Sequence, residues 1–173
     1  MTPRLLIAGI GNIFLGDDAF GCEVARRLAA RPLPDGVRLV DFGIRGFDLA
    51  LALLDENVDA AILIDAAPRG AAPGTLFVIE PEWGQPMEPG TGDASPLEAH
   101  ALDPVQVLRL VVRLGGQPKP VVLVACEPTP FDADEDPPME LSAPVQAAVE
   151  EAVRMVESLV AQIREGRNLG VAQ

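Results

Sequence analysis

Short runs of apolar residues alternate with segments of helical periodicity along the 173-residue chain. This alternation is typical of an α/β fold, in which helices cover a mostly parallel sheet. Every apolar run is shorter than the ~20 residues that a membrane-spanning helix requires. We find no internal repeat and no internal boundary in the sequence. We therefore predict one α/β domain over residues 1–173.

Five apolar runs predict five strands of the sheet. They cover residues 4–10, 37–42, 60–64, 75–80 and 121–125. The first run is continuously apolar after Arg4, as expected for a strand that is buried on both faces. The connection before the fourth strand contains prolines and glycines between Pro68 and Gly74, and it is short for a helical crossover. We therefore expect the fourth strand to be an antiparallel edge strand.

Helical periodicity predicts four helices between and after these strands. The first two cover about residues 18–30 and 47–54. Asp103 is the predicted N-cap of the third helix, with Pro104 at its first position. Ser142 is the predicted cap of a long final helix with one apolar stripe, and Gly166 follows its end. Residues 81–100 are rich in Pro and Gly and lack periodicity, as is typical of a functional or disordered loop. Residues 127–140 are predicted to be an acidic, Pro-rich loop without Lys or Arg.

The charge of the chain and its cysteines restrict the classes of function. A net charge of -13 argues against a nucleic-acid partner, because phosphate binding needs clustered Lys and Arg. Two cysteines, Cys22 and Cys126, do not make a disulfide framework. Gly9 and Gly11 interrupt the apolar N-terminal run too early for a signal peptide. We expect a soluble, cytoplasmic protein that does not bind a membrane.

The segment from Gly9 to Gly21 lies between the first strand and the first helix, where glycines let the backbone approach a ligand. It is not a dinucleotide fingerprint, because Phe14 occupies the position of the third glycine. The acidic residues Asp17 and Asp18 also stand where a pyrophosphate would bind. A structural alternative is that one of them caps the helix and the other complements its dipole.

Asp65 and His100 are the other candidate site residues. Asp65 ends the third strand, at the edge where open α/β sheets bind ligands, although it could instead cap the next turn. His100 is the sole histidine and precedes the third helix. If strands one and three are neighbours, Asp18 and Asp65 face one crevice. Two carboxylates and one imidazole suit a borderline divalent metal such as nickel or zinc.

Conventional protease chemistry fits this sequence less well. A single histidine permits only one Ser–His or Cys–His arrangement, and a Cys126–His100 dyad is geometrically conceivable. Cys22 lies within the first helix and is predicted to be a packed small residue. The sequence contains no G-x-S-x-G elbow, no H-E-x-x-H helix and no repeated D-T-G motif.

An ordered set of motifs resembles the nickel-iron hydrogenase maturation protease family over essentially the whole chain. The matching residues are Gly9, Gly11, Asn12, Asp17, Asp18 and Gly21, then 41–49 (DFGIRGFDL), Leu63–Ala66, Pro73–Gly74, His100 and 141–145 (LSAPV). Ile44 stands where the family commonly has Thr, and Ala19 replaces a glycine that often follows the acidic pair. These two departures leave the hydrogenase class of the substrate open.

The resemblance implies a three-layer α/β sandwich of the phosphorylase/hydrolase-like type, with a mostly parallel five-stranded sheet and helices on both faces. It implies an aspartic-type endopeptidase that removes the C-terminal peptide of the hydrogenase large-subunit precursor after nickel insertion. Asp18, Asp65 and His100 carry over as the catalytic and nickel-binding residues, with nickel supplied by the substrate. The alternatives are a non-catalytic nickel-dependent chaperone and a peptidyl-tRNA-hydrolase-like enzyme.

Overall fold

The computed structural model describes residues 2–81, 83, 103–132, 135–136 and 138–167. Of the predicted loop over residues 81–100, residue 82 and residues 84–100, His100 among them, lie outside the described residues. Within the described part of the chain, no helix is long and apolar enough to cross a membrane.

The secondary structure follows the predicted alternation closely. The strands are β1 (Leu5–Ile10), β2 (Val37–Gly43), β3 (Ala60–Ala66), β4 (Leu76–Ile79) and β5 (Val121–Cys126). The helices are α1 (Phe20–Ala29), α2 (Gly46–Leu54), α3 (Pro104–Arg113) and α4 (Ala143–Arg164), and a 3₁₀ turn (Gly16–Ala19) precedes α1. The predicted first helix therefore begins as a 3₁₀ turn.

The five strands form one sheet in the order β2-β1-β3-β5-β4. All neighbouring pairs are parallel except β4 with β5, which is antiparallel. This arrangement confirms the prediction of a mostly parallel sheet with an antiparallel fourth strand at its edge. It also makes β1 and β3 direct neighbours, so their carboxyl ends lie side by side.

The sheet separates two apolar cores, because successive side chains of a strand point to opposite faces. On one face, Leu5 and Ile7 of β1 pack in a cluster with α1 and α4. On the other, Leu6 and Ala8 belong to a cluster with α2 and α3. The predicted three-layer sandwich is therefore confirmed. Strands β1 and β5 are buried throughout, as their continuous apolar sequences predict, and β3 is buried up to its last residue, Ala66.

Helix α1 begins unusually close to the sheet. A Cβ atom on Gly21 would overlap the backbone carbonyl oxygens of Ile10 and Ile64, which end or nearly end β1 and β3. Gly11 has a φ of 141°, and a Cβ there would overlap the carbonyl oxygen of Asp18. The two glycines thus let the segment between β1 and α1 fold back over the strand ends. This explains the glycine pattern without any bound dinucleotide.

Of two predicted helix caps, one caps its helix through its side chain and the other does not. The Asp103 side chain accepts a hydrogen bond from the backbone N–H of Val105 (2.9 Å), and Pro104 occupies the first turn, as predicted. Ser142 holds the N-cap position of α4, but its side chain makes no capping hydrogen bond. The predicted role of the Ser142 hydroxyl is therefore wrong, because that hydroxyl is engaged with Asp17.

We expect Gly21→Ala to lower the free energy of unfolding by about 3 kcal/mol or more, at the upper end of overpacking costs. The backbone atoms that meet the new methyl group belong to two buried strands and cannot move aside. Gly70→Ala is the control, because its φ of 81° is strained but its Cβ has open space, at a cost of roughly 1–2 kcal/mol. Urea unfolding measures both variants. Equal losses would show that the contact at Gly21 is not close-packed.

Candidate active site at the carboxyl edge of the sheet

Two carboxylates meet where β1 and β3 end. Asp18 lies in the 3₁₀ turn after β1, and its Oδ2 accepts a hydrogen bond from the backbone N–H of Asn12 (2.8 Å). Asp65 lies near the end of β3, and its Oδ1 accepts one from the N–H of Ala66 (2.8 Å). Within the described residues, neither Asp18 Oδ1 nor Asp65 Oδ2 accepts a hydrogen bond. Each carboxylate therefore keeps one oxygen available for a ligand.

The electrostatics of Asp65 reflect this juxtaposition. Asp65 is 6% exposed, and burial raises its pKa well above the ordinary value of 3.8. The negative charge of Asp18 raises that pKa further, and Asp103 adds a smaller contribution, whereas the Ala66 N–H opposes the shift. The site thus disfavours two simultaneous negative charges unless a cation joins them. The predicted convergence of Asp18 and Asp65 is therefore present in the structure.

Asp17 has a different role from its neighbour in the sequence. Its carboxylate is almost fully buried and accepts hydrogen bonds from the N–H of Thr129 (2.8 Å) and the N–H of Ser142 (2.7 Å). The Ser142 hydroxyl also donates to Asp17 (2.8 Å), and Thr129 Oγ1 donates to that hydroxyl (2.8 Å). The helix N-cap itself is Ala19, without a side-chain bond. Asp17 therefore anchors the 3₁₀ turn to the start of α4 rather than capping α1.

Glu127 is a buried acid that the sequence analysis did not single out. It follows β5 and is 5% exposed. Its carboxylate accepts hydrogen bonds from the N–H groups of Arg69 (2.7 Å) and Gly70 (3.2 Å). Through these hydrogen bonds, Glu127 holds in place the β3–β4 connection, which begins shortly after Asp65. In sequence it is one acid among many in an acidic loop, and only the tertiary contact distinguishes it.

A cleft of about 850 Å³ opens beside Asp18. We call it the acidic cleft. Its walls come from the 3₁₀ turn, the start of the β3–β4 connection and the Pro-rich loop after β5. The residues that line it include Asp18, Ala66, Pro68, Phe131, Asp132 and Glu135. The acidic, Pro-rich loop after β5, for which the sequence predicted no role, therefore forms one side of the candidate site.

Neither cysteine is placed to act as a nucleophile. Cys126 is fully buried, and its thiol donates to the carbonyl of Glu127 (3.7 Å). Burial, with the charges of Asp17 and Glu127, raises the pKa of Cys126 to about 12. Cys22 is also buried, and its thiol donates to the carbonyl oxygen of Gly11 (3.4 Å). Burial, with the nearby Asp41 carboxylate, raises the pKa of Cys22 to about 12. Both thiols stay protonated at neutral pH, whereas a nucleophilic cysteine needs its thiolate.

The described residues supply two of the three predicted metal ligands. In the part of the chain that the structure describes, no group of three or more His, Cys, Asp or Glu side chains could hold a metal ion. His100 lies outside that part, so the three-ligand set of Asp18, Asp65 and His100 stays a prediction. The donor chemistry of the two carboxylates fits a divalent cation that brings further ligands of its own.

The fold and the site define a class of protein: a doubly wound α/β enzyme with paired carboxylates at the carboxyl edge and no reactive thiol. The family model described as hydrogenase maturation protease matches residues 22–159. The chain belongs to the hydrogenase maturation protease family, and it is therefore a hydrolase.

Individual relatives agree with this assignment. The hydrogenase 2 maturation protease of Escherichia coli (strain K12) is 32% identical over 164 residues, covering 94% of this chain and 92% of the relative. A putative hydrogenase maturation protease of Methanocaldococcus jannaschii is 31% identical, covering 88% of this chain and 93% of the relative. The solved hydrogenase maturating endopeptidase HybD from E. coli superposes with a TM-score of 0.71 at 31% identity, over 92% of this chain and 93% of HybD.

We expect Asp65→Asn to stabilise the free protein at neutral pH. Because the folded state raises the pKa of Asp65, it binds this proton more tightly than the unfolded state does. Stability is therefore lost as the pH rises above the ordinary Asp pKa of about 3.9 through the raised pKa. The neutral amide avoids this loss, so the gain in Tm should be large near pH 7 and vanish near about pH 4.

Thermal unfolding at the two pH values tests this expectation. Each 1 kcal/mol corresponds to roughly 2–4 °C for a chain of this size. Asp48→Asn is the matched control, because Asp48 is exposed on α2 and, among the residues that the structure describes, pairs only with Arg45 at the surface (3.5 Å). A gain of the same size at both pH values would contradict the electrostatic origin of the effect.

We expect Cys126→Ser and Cys22→Ser to retain most proteolytic turnover, and alkylating reagents to leave the enzyme active. Both thiols are buried and protonated, so neither supplies a nucleophile. Turnover is measured on the natural protein substrate, with circular dichroism as the check on folding. A loss of several orders of magnitude in a folded Cys126→Ser protein would instead support the Cys126–His100 dyad.

Proposed function

We propose that this chain is the endopeptidase that removes the C-terminal peptide of a nickel-iron hydrogenase large-subunit precursor after nickel insertion, acting in the cytoplasm. Its family and the activities for which its relatives are named support this function. The observation that carries the proposal is the pairing of Asp65, buried and raised in pKa, with Asp18, each with one oxygen free. Perturbed carboxylates at the ligand-binding edge of a sheet are expected at a functional site.

Nickel enters this proposal as part of the substrate. Asp18 and Asp65 each offer one oxygen, and His100 offers an imidazole by the family resemblance. These three ligands leave positions open for the ligands that the precursor already supplies to its nickel. A cation between the two carboxylates removes the repulsion that raises the pKa of Asp65. The two carboxylates then hold the precursor by its metal.

The two carboxylates also account for an aspartic-type reaction. Binding the precursor by its nickel fixes the scissile segment next to the paired acids, which lowers the entropic cost of the reaction. A bound divalent metal supplies Lewis-acid chemistry at such a site. The oxygen of each acid that is not assigned to nickel, Asp18 Oδ2 or Asp65 Oδ1, accepts one backbone N–H and keeps a second lone pair, so it can take the proton of the attacking water as a general base. The buried cysteines take no part.

A non-catalytic chaperone would bind the loaded precursor without cutting it. Mass spectrometry of the large subunit after incubation with the protein separates the two functions, because only a protease shortens the precursor. The family assignment leaves the peptidyl-tRNA-hydrolase-like alternative without support. The net charge of -13 also opposes an RNA substrate.

We expect nickel-loaded precursor to be cleaved more than a hundredfold faster than nickel-free precursor, with free nickel chelated. This factor corresponds to a difference of roughly 3–4 kcal/mol in productive binding. Such a difference is expected because only the loaded form completes the coordination of the carboxylates. Release of the tail from both precursor forms is followed over time by mass spectrometry. Equal cleavage of the nickel-free form would show that the paired acids do not recognise the metal.

Substitution of the proposed ligands extends the same experiment. Asp18→Ala, Asp65→Ala and His100→Ala should each abolish tail removal while the protein remains folded. Asp48→Ala, which removes an exposed carboxylate on α2, should keep full turnover. Normal cleavage by His100→Ala would remove the histidine from the proposed ligand set.

A further inference from the structure

Large apolar side chains are exposed in unusual number around the candidate site. Six of them form what we call the apolar rim: Ile13, Phe14, Leu15, Ile44, Phe131 and Met139. Their exposed fractions lie between 36% for Leu15 and 67% for Met139. They come from three loops that follow the carboxyl ends of β1, β2 and β5. Contiguous exposed apolar surface at such a place marks an interaction site more often than scattered residues do.

These six side chains line three clefts in the same region of the surface. Leu15 and Phe131 line the acidic cleft together with Asp18. Ile13 and Met139 line a second cleft of about 620 Å³. Ile13 also lines a third cleft, of about 360 Å³, with Phe14 and Ile44. Residues of the segment between β1 and α1 line all three clefts, and Asp18 belongs to that segment. The apolar rim is therefore continuous with the proposed active site.

The charges among the same clefts are mostly negative and mostly unpaired. Within the described residues, Asp132, Glu135, Asp136 and Glu140 line these clefts and make no ion pair. The two basic residues that line the clefts are already engaged. Arg26 pairs with Glu23 (2.7 Å). Arg45 approaches Asp48 (3.5 Å) and donates to the carbonyl oxygens of Phe42 (3.2 Å) and Asp41 (2.6 Å). A partner on this surface therefore meets apolar side chains bordered by negative charge.

We propose that the apolar rim is the surface on which the folded body of the precursor docks, and that the precursor presents apolar side chains bordered by Lys and Arg. Aromatic and Met side chains are enriched in the buried centres of protein interfaces. Opposite charges at the border of an interface steer association and fix its orientation. Docking on the rim places the tail of the precursor in the clefts that it surrounds. This inference rests on the proposed function and identifies the partner surface of the same site.

Steady-state cleavage of nickel-loaded precursor tests the rim. Phe14→Ser and Met139→Ser, which lie outside the acidic cleft beside Asp18, should each raise KM roughly tenfold or more, as truncation of interface anchors does, with kcat within about twofold of the unchanged protein. The matched controls are Leu51→Ser and Val112→Ser, whose side chains are 48% and 39% exposed on α2 and α3, away from the rim. The controls should change neither parameter. Circular dichroism and Tm confirm that all four variants fold.

Salt and charge reversal test the acidic border. KM should rise with ionic strength, because screening weakens the attraction between the border and a basic partner. Glu140→Lys, which changes an acid of the second cleft rather than of the acidic cleft beside Asp18, should raise KM at low salt and flatten its salt dependence, with kcat unchanged.

Three results would overturn the docking surface: unchanged KM in the rim variants, a loss confined to kcat, or equal losses in the controls. If the Asp18→Ala variant remains fully active, that result contradicts the proposed function instead, whatever the rim variants do.

Discussion

The carboxyl edge of this protein depends on a backbone-to-backbone contact between the start of α1 and the ends of β1 and β3. Gly21 permits that contact because no side chain stands between the helix and the strand carbonyls. The segment after β1 must then turn sharply within a few residues, which Gly11 allows with its positive φ. Asp18 is carried by this turn and is brought beside Asp65. The two glycines thus determine the position of the Asp18 carboxylate, and through that position the chemistry that the site can perform.

The three buried acids in the described structure differ in how their carboxylates are stabilised. Asp17 and Glu127 each accept hydrogen bonds from at least two groups on distant parts of the chain, as buried charges normally require. Asp65 receives only the N–H of its own neighbour and faces a like charge. Stability alone does not explain that arrangement. The cation binding that we propose for this site accounts for it, with a cost in the free state that the protein tolerates.

Much of the fold could be predicted from sequence because its signals are local. Continuous apolar runs identified the buried strands, and the short connection before β4 identified its antiparallel edge position. The pairing of Asp18 with Asp65 followed from strand adjacency. The roles of Asp17, Ser142 and Glu127 could not be predicted from the sequence. An acid or a serine at the start of a helix is normally interpreted as a cap. The hydrogen bonds between Asp17 and Ser142 instead depend on tertiary contact between distant segments.

The bond between Asp17 and Ser142 joins residues 125 positions apart. Such a contact belongs to the slowest class to form, since the intervening chain must be ordered first. On the ribosome, β1 and the turn after it emerge long before α4 does. The carboxylate of Asp17 consequently has no Ser142 to bind until nearly all of the chain has been made. Synthesis itself therefore delays the completion of the edge that carries the candidate active site.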